Sequence, residues 1–410
     1  MHDRKPVAIL AITQLVLWGM LYYAFGVLAS RIQSDLALTA SQTFGAFSLS
    51  VLVAGLAATP VGIAIDRHGG RGIMVLGSIL ASVGLCTMAT AASFGGYLLA
   101  WTILGAAMSL TLYEAAFATL NKSITGDAAK SISTVTLVGG LASTVFWPLT
   151  EALAAQLGWR ATLMAYAGVQ LVLCAPLHWA LDGRNRHSVA GQQHGGVTLP
   201  QAMRQPQFWL LAAAFAFNAF IFSALSVHLI RVVHGLGHGM GLALSLAALI
   251  GPMQVAGRLA ERTLGARRPP ALIGAYTFAA LPVALLVFAL CGRHAYAAGL
   301  FCILYGLSNG VLTILRGTLP ASMFGRKQYG AISGALAAPA LLAKASGPLV
   351  FAIALDYAGV QSMLMPLVVL AAMSFGLFIL SVRCQVRSEA QTADEQRRWK
   401  RGRFFRLPAK

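Results

Sequence analysis

The chain has 410 residues, of which 58% are hydrophobic and only 10% charged, against about 25% charged in a typical soluble domain. A soluble protein of this size could not cover its surface with so few charges, so lipid is the expected solvent for most of it. The net charge of +18 raises nucleic acid as a partner, but the basic residues stand singly between apolar runs, with one cluster at the C-terminus, which excludes a nucleic-acid groove.

Apolar runs of about 20 residues, the length that crosses ~30 Å of hydrocarbon, recur twelve times: 7–30, 43–65, 72–91, 95–120, 131–154, 160–181, 208–231, 241–260, 271–290, 295–318, 329–355 and 360–383. Each is expected to be helical, because unpaired backbone groups in lipid cost several kcal/mol. The first run is too long for a signal-peptide core and is read as a retained span. Counting Lys and Arg between the spans and at their ends puts twenty-four on one side and four on the other, which predicts both termini in the cytoplasm of a multi-pass plasma-membrane protein, of the bacterial inner-membrane type.

The second and third spans are joined by Gly62-Ile-Ala-Ile-Asp-Arg-His-Gly-Gly-Arg71, and a weaker copy, Gly257-Arg-Leu-Ala-Glu-Arg-Thr-Leu-Gly-Ala-Arg267, follows 195 residues later. In both, a glycine is followed four residues on by an acid and then at once by an arginine: Asp66 and Arg67, then Glu261 and Arg262. An internal repeat at about half the chain length predicts an all-α membrane protein of two pseudo-symmetric six-helix bundles. The expected division is 1–181 for the first bundle, 182–206 for a cytoplasmic central loop, 207–383 for the second bundle and 384–410 for a basic tail that lies on anionic lipid headgroups.

Twelve spans in two halves, with this loop after the second and eighth, resemble the major facilitator superfamily. Gly62, Asp66, Arg67, Gly69 and Arg71 carry the resemblance best, supported by Gly158-Trp159-Arg160 and Gly347-Pro348. The resemblance implies that this loop, with Glu261 and Arg262 in its copy, locks the halves in one state. Asp66 would meet the end of a helix in the other half, with the arginines in support. Drug exporters of the superfamily usually carry an arginine in the fourth span where this chain has Trp101, ahead of Gly105, and a Gly-Pro signature in the fifth, where this chain has Gly139-Gly140 and Phe146-Trp147-Pro148. The stretch Phe208-Trp209-Leu210-Leu211, the aromatic run from Trp18 to Phe25 and a lysine in the eleventh span look instead like the oxalate/formate and monocarboxylate branch.

A few charges interrupt the spans. Lys344 falls near the midplane of the eleventh, where an unpaired charge costs ~2.5–3.5 kcal/mol; a substrate anion in a central cavity would offset that cost, as would a structural partner. Arg316, toward the cytoplasmic end of the tenth span, is a second anion-binding candidate that could also snorkel. Asn309 and Ser308 line the same path or pair between helices. Glu114 in the fourth span is the candidate for proton coupling, or else a helix-end acid paired with a base. Glu151 is expected to face water. His228 and Arg231 read as an interfacial pair. Trp18, Tyr22, Tyr23 and Gln14 supply amphipathic side chains suited to a cavity wall.

No P-loop or metal-spaced cluster is present, so neither an enzyme nor a cofactor is expected. The five cysteines read as small hydrophobes. The sequence therefore predicts a monomeric secondary transporter of a small mono- or dicarboxylate, by exchange or with protons. Proton-driven efflux of a hydrophobic or cationic compound is the rival, and a non-transporting sensor or accessory subunit is the alternative of another class.

Overall fold

The structure is a computed structural model that describes residues 4–124, 126–181, 196–265 and 268–404, with side chains to Arg387. Arg184, Arg186, Arg267, the central-loop glycines before Gly196 and the side chains of the basic tail lie outside the described residues. Among the described residues there is no strand, and ten helices are long and apolar enough to cross a membrane. Two of the ten are double. The 52-residue helix Ala128–Trp179 and the 59-residue run Tyr329–Arg387 would each exceed twice the hydrocarbon thickness at about 1.5 Å per residue. Each breaks at a glycine with a non-helical backbone: Gly158 at φ 79° and Gly359 at φ 74°, where a side chain would be strained.

Divided at those breaks, the helices are α1 (Arg4–Asp35), α2 (Ala40–His68), α3 (Gly70–Thr90), α4 (Phe94–Ser123), α5 (128–157) and α6 (159–179). The second set is α7 (Pro206–Gly235), α8 (Met240–Gly265), α9 (Pro270–Cys291), α10 (Ala295–Phe324), α11 (329–358) and α12 (360–404). One buried core lies within α1–α6, around Tyr97, Trp101, Phe146 and Tyr166, and another within α7–α12, around Phe208, Phe278, Phe288 and Phe301. Trp101, at the place of the exporter arginine, has its ring edge-on to Phe25 and Phe47 and packs in an aromatic core.

The helices of the first half are less regular than the apolar runs suggest. A π-helical turn, Trp18–Tyr23, interrupts α1. Leu112 is extended and divides α4 into Phe94–Thr111 and Tyr113–Ser123, where the sequence predicts one continuous helix. The carbonyl of Thr111, at that break, accepts a 2.6 Å hydrogen bond from Gln14 Nε2. A further interruption at Gly140–Leu141 divides α5.

The halves meet through α2, α4 and α5 of the first and α8, α10 and α11 of the second. The closest approach is α2 on α11. A Cβ on Gly62 would collide with the carbonyl oxygen of Gly330, and one on Gly334 with that of Ala58. At the opposite end, the ion pairs Arg31–Glu151, Arg160–Asp35 and Arg231–Asp356 each stay within one half. The molecule is thus closed at the end that carries the Gly62–Arg71 loop. Past the central loop, Val197 N donates to Phe324 O at 3.0 Å and Leu199 N to Gln328 Oε1 at 2.7 Å, tying the linker to the turn before α11.

Candidate functional site

The repeated loops form two clasps. Asp66, at the end of α2, accepts from Gly330 N at 3.0 Å and from Ala331 N at 2.7 Å. These are first-turn N–H groups of α11, which have no partner within the helix and face the positive end of its dipole. A carboxylate from one half therefore caps a helix of the other. Lys122 Nζ in turn donates to the carbonyls of Ile65 and Asp66. In the copy, Glu261 Oε2 accepts from Ser133 Oγ of α5 at 2.9 Å, and Arg262 Nη1 donates to Thr134 Oγ1 at 2.6 Å. The two clasps relate α2 to α11 and α8 to α5, as a pseudo-two-fold requires. They are unequal: α5 has its own cap, since Asp127 Oδ1 accepts from Lys130 N, whereas α11 takes its cap from Asp66.

The arginines of the first loop stand apart from the carboxylate. Arg67 is exposed, and the Arg71 guanidinium lies 4.0 Å above the Trp179 ring. The cation nearest the clasp is Lys122.

Above the clasps, side chains of both halves converge. The π-helical turn of α1 gathers Trp18, Tyr22 and Tyr23, with ring centroids 5.3 Å apart for Trp18–Tyr22 and 5.4 Å for Tyr22–Tyr23. Such widened turns recur at functional sites because they re-aim side chains. Tyr113, just past the α4 break, lies 5.0 Å from Trp18. From the other half, Lys344 Nζ of α11 sits 4.3 Å from the Tyr22 centroid and 5.6 Å from that of Trp18, within range of cation–π attraction. No carboxylate pairs with Lys344 among the described residues.

Arg316 is half-buried, its Nε is shielded from solvent without a hydrogen-bond partner, and Glu114 attracts it electrostatically. Glu114 stands in the first turn after the Leu112 break. Asn309 is half-buried on α10, and its carbonyl accepts from Thr313 Oγ1. Ser308 turns away, donating to Thr277 O of α9 at 3.0 Å.

Residues 10–348 match the sequence model of the Major Facilitator Superfamily. The chain belongs to that superfamily. No curated protein sequence matches it at a significant level. The fold is similar to the crystal structure of the human organic anion transporter MFSD10 (TETRAN), at 18% identity and TM-score 0.71, covering 92% of this chain and 100% of that one. It is also similar to the E. coli fucose:proton symporter FucP, at 14% identity and TM-score 0.71 over 93% and 99% of the two chains. A FucP structure in the outward conformation aligns at 13% identity and TM-score 0.67, again over 93% and 99%.

In this superfamily member one cation near the site escaped the sequence reading. Arg258 counts there as a loop charge, yet it lies within α8 and is 5% exposed. Its guanidinium packs against Gly140 at the interruption of α5, where any Cβ would collide with it. It is near enough to Tyr23 and Tyr113 to act on both phenols, and its Nε has no hydrogen-bond partner. The signal was in the repeat: the first copy has Ile63 where the second has Arg258. His228 and Arg231 do not form the expected pair. His228 Nε2 is 2.9 Å from Pro348 O, and Arg231 bonds Asp356 at 2.6 Å. Glu151 is exposed and bonds Arg31 at 2.6 Å.

Proposed function

We propose that this major facilitator transporter carries a small organic anion, a mono- or dicarboxylate, between its two halves by alternating access. Lys344 carries the reading. An ammonium held over two aromatic faces, with no carboxylate beside it among the described residues, is stabilised without being neutralised, so a negatively charged ligand completes it. Arg258 and Arg316 add two further cations with unpartnered Nε atoms, and Glu114 is the carboxylate that acts on Arg316. Three cations against one acid favour an anion over the cationic or hydrophobic cargo of an exporter. The reading rests on these residues; the likeness to solved structures supports the fold alone.

Trp18, Tyr22 and Tyr23 wall the site, and Asn309 lies along the same path on α10. Glu114 couples a proton by releasing Arg316 when it is neutralised; exchange of one anion for another is the other mode open to such a site. The arms on either side of Gly158 and Gly359 each cross the bilayer, making twelve spans in two bundles joined by the central loop, with both termini in the cytoplasm of a bacterial inner membrane. The clasps of Asp66 and Glu261 then close the cytoplasmic side, and the structure is the outward-facing state of a monomer, with the basic tail on anionic lipid. The family to which the site is most alike is the oxalate/formate–monocarboxylate branch.

The test is uptake of labelled oxalate, malonate and lactate by proteoliposomes. Lys344→Gln removes the charge and relieves an insertion cost of about 2–3 kcal/mol, so it reaches the membrane at normal levels while transport falls at least tenfold. Lys344→Arg, a planar fork in place of a compact charge, recovers little of it. Undiminished anion transport by Lys344→Gln refutes the substrate assignment.

A further inference from the structure

Lys344 is anchored from behind as well as met from in front. In an α-helix the N–H of residue 348 would donate to the carbonyl of residue 344, but residue 348 is proline, which has no N–H. The carbonyl of Lys344 is therefore left without its helical donor. Ser223 of α7 supplies the replacement: its Oγ donates to Lys344 O at 2.5 Å. The same two helices touch on either side of that bond. A Cβ on Gly347 would lie 2.9 Å from Phe220 O, and His228 Nε2 stands 2.9 Å from Pro348 O. These contacts fix one short piece of α11 against α7.

A proline inside a helix removes one backbone hydrogen bond and introduces a bend whose direction depends on what takes up the freed carbonyl. Here the freed carbonyl belongs to the residue whose ammonium reaches across to Tyr22 and Trp18. The direction in which Lys344 leaves the backbone is set by the hydroxyl on α7. We propose that Ser223 is a positioning residue for Lys344, holding the carbonyl that Pro348 leaves unpaired so that the ammonium meets the helix 1 aromatics and the bound anion. The proposal rests on the anion reading for its effect on transport, but its geometric half stands independently of what is transported.

Two measurements separate the two. In full-length protein with its native cysteines replaced, Lys344→Cys is labelled with a negatively charged methanethiosulfonate, with and without Ser223→Ala. The labelling rate is expected to change about threefold to tenfold, the factor that one lost hydrogen bond commands, while a control cysteine at Arg293 labels at its usual rate. In proteoliposomes with Lys344 intact, Ser223→Ala raises KM for labelled malonate by a similar factor with little change in maximal rate, and Ser223→Thr, which keeps the hydroxyl, restores it. Unchanged labelling and unchanged KM in Ser223→Ala overturn the proposal. If Ser223→Ala fails to fold, Ser223→Gly, which also lacks the hydroxyl and adds no thiol, is measured in its place, and normal labelling and KM there reduce Ser223 to a packing role and equally overturn it. Failure of the wild type to move any carboxylate would sink the anion reading, and the labelling result would still decide the role of Ser223.

Discussion

The capping of α11 by Asp66 is a bond that exists only while the two halves are closed at that end. Replacing Asp66 by alanine removes both acceptors from Gly330 N and Ala331 N. Hydrogen bonds to a charged group contribute about 1.5–3 kcal/mol each, and loss of a helix cap costs about 0.5–2 kcal/mol. Because the opened state lets water reach the two donors, the net penalty on the closed state is about 2–3 kcal/mol. At 1.4 kcal/mol per tenfold, the ratio of closed to open molecules falls by about 30- to 150-fold, while each bundle keeps its own core and stays folded. Asp66→Asn, which retains one oxygen but no charge, should give a smaller shift in the same direction. A cysteine in place of Ala58, 3% exposed and in the seam between α2 and α11, reports the change as faster labelling from the loop-bearing side. If Asp66→Ala leaves that cysteine as protected as before, the bond does not hold the halves together.

Glu261 holds its clasp less than Asp66 does, because it accepts from one neutral hydroxyl, Arg262 bonds Thr134 beside it, and α5 is already capped by Asp127; Glu261→Gln should raise labelling of the same seam by less than half the logarithmic shift of Asp66→Ala. Arg258→Gln should lower affinity for malonate about tenfold or more and for lactate by less, since the second carboxylate loses a charged partner; binding isotherms for the two anions check this, and an equal loss for both removes Arg258 from the site. Glu114→Gln should abolish the dependence of uptake on a proton gradient while anion exchange persists, and retention of proton-driven accumulation would reassign the coupling.

The two-bundle architecture was legible because lipid enforces it: each span must be long and apolar, and a duplicated loop marks the repeat. The sequence reading expected Asp66 to meet the end of a helix in the other half without saying which; that it is α11 follows from packing, where Gly62, Gly330 and Gly334 admit the close approach of α2. Less was visible where a helix departs from regularity. Trp18–Tyr23 stands out in α1 by its aromatic rings and Gly19, but that composition does not by itself distinguish a π-helical turn from an α-helical one. Leu112 is likewise an ordinary helix former; its extended backbone is a tertiary outcome, supported by Gln14 on Thr111 O. Arg258 was misplaced because a charge close to a loop is read as part of it, whereas α8 continues through it and Gly140 of α5 leaves room for its guanidinium.

Irregular turns occur in both halves, since α8 ends in a π-helical turn at Glu261–Gly265, but those beside the Trp18–Tyr23 rings lie in the first. At the level of the site α1 has a π-helical turn, α4 breaks at Leu112 and α5 breaks at Gly140, whereas their counterparts by the repeat, α7, α10 and α11, keep helical backbone through the same level. The cations follow the opposite distribution: Arg258, Arg316 and Lys344 all belong to the second half. A long cationic side chain on an unbroken helix is carried at a fixed height, and in α11 even the gap left by Pro348 is filled by Ser223. At the α4 break a freed backbone group already bonds elsewhere, Thr111 O accepting from Gln14 Nε2. On the proposed anion reading, the second half supplies the charges, Arg258, Arg316 and Lys344, and the first supplies the rings of Trp18, Tyr22 and Tyr23 against Lys344.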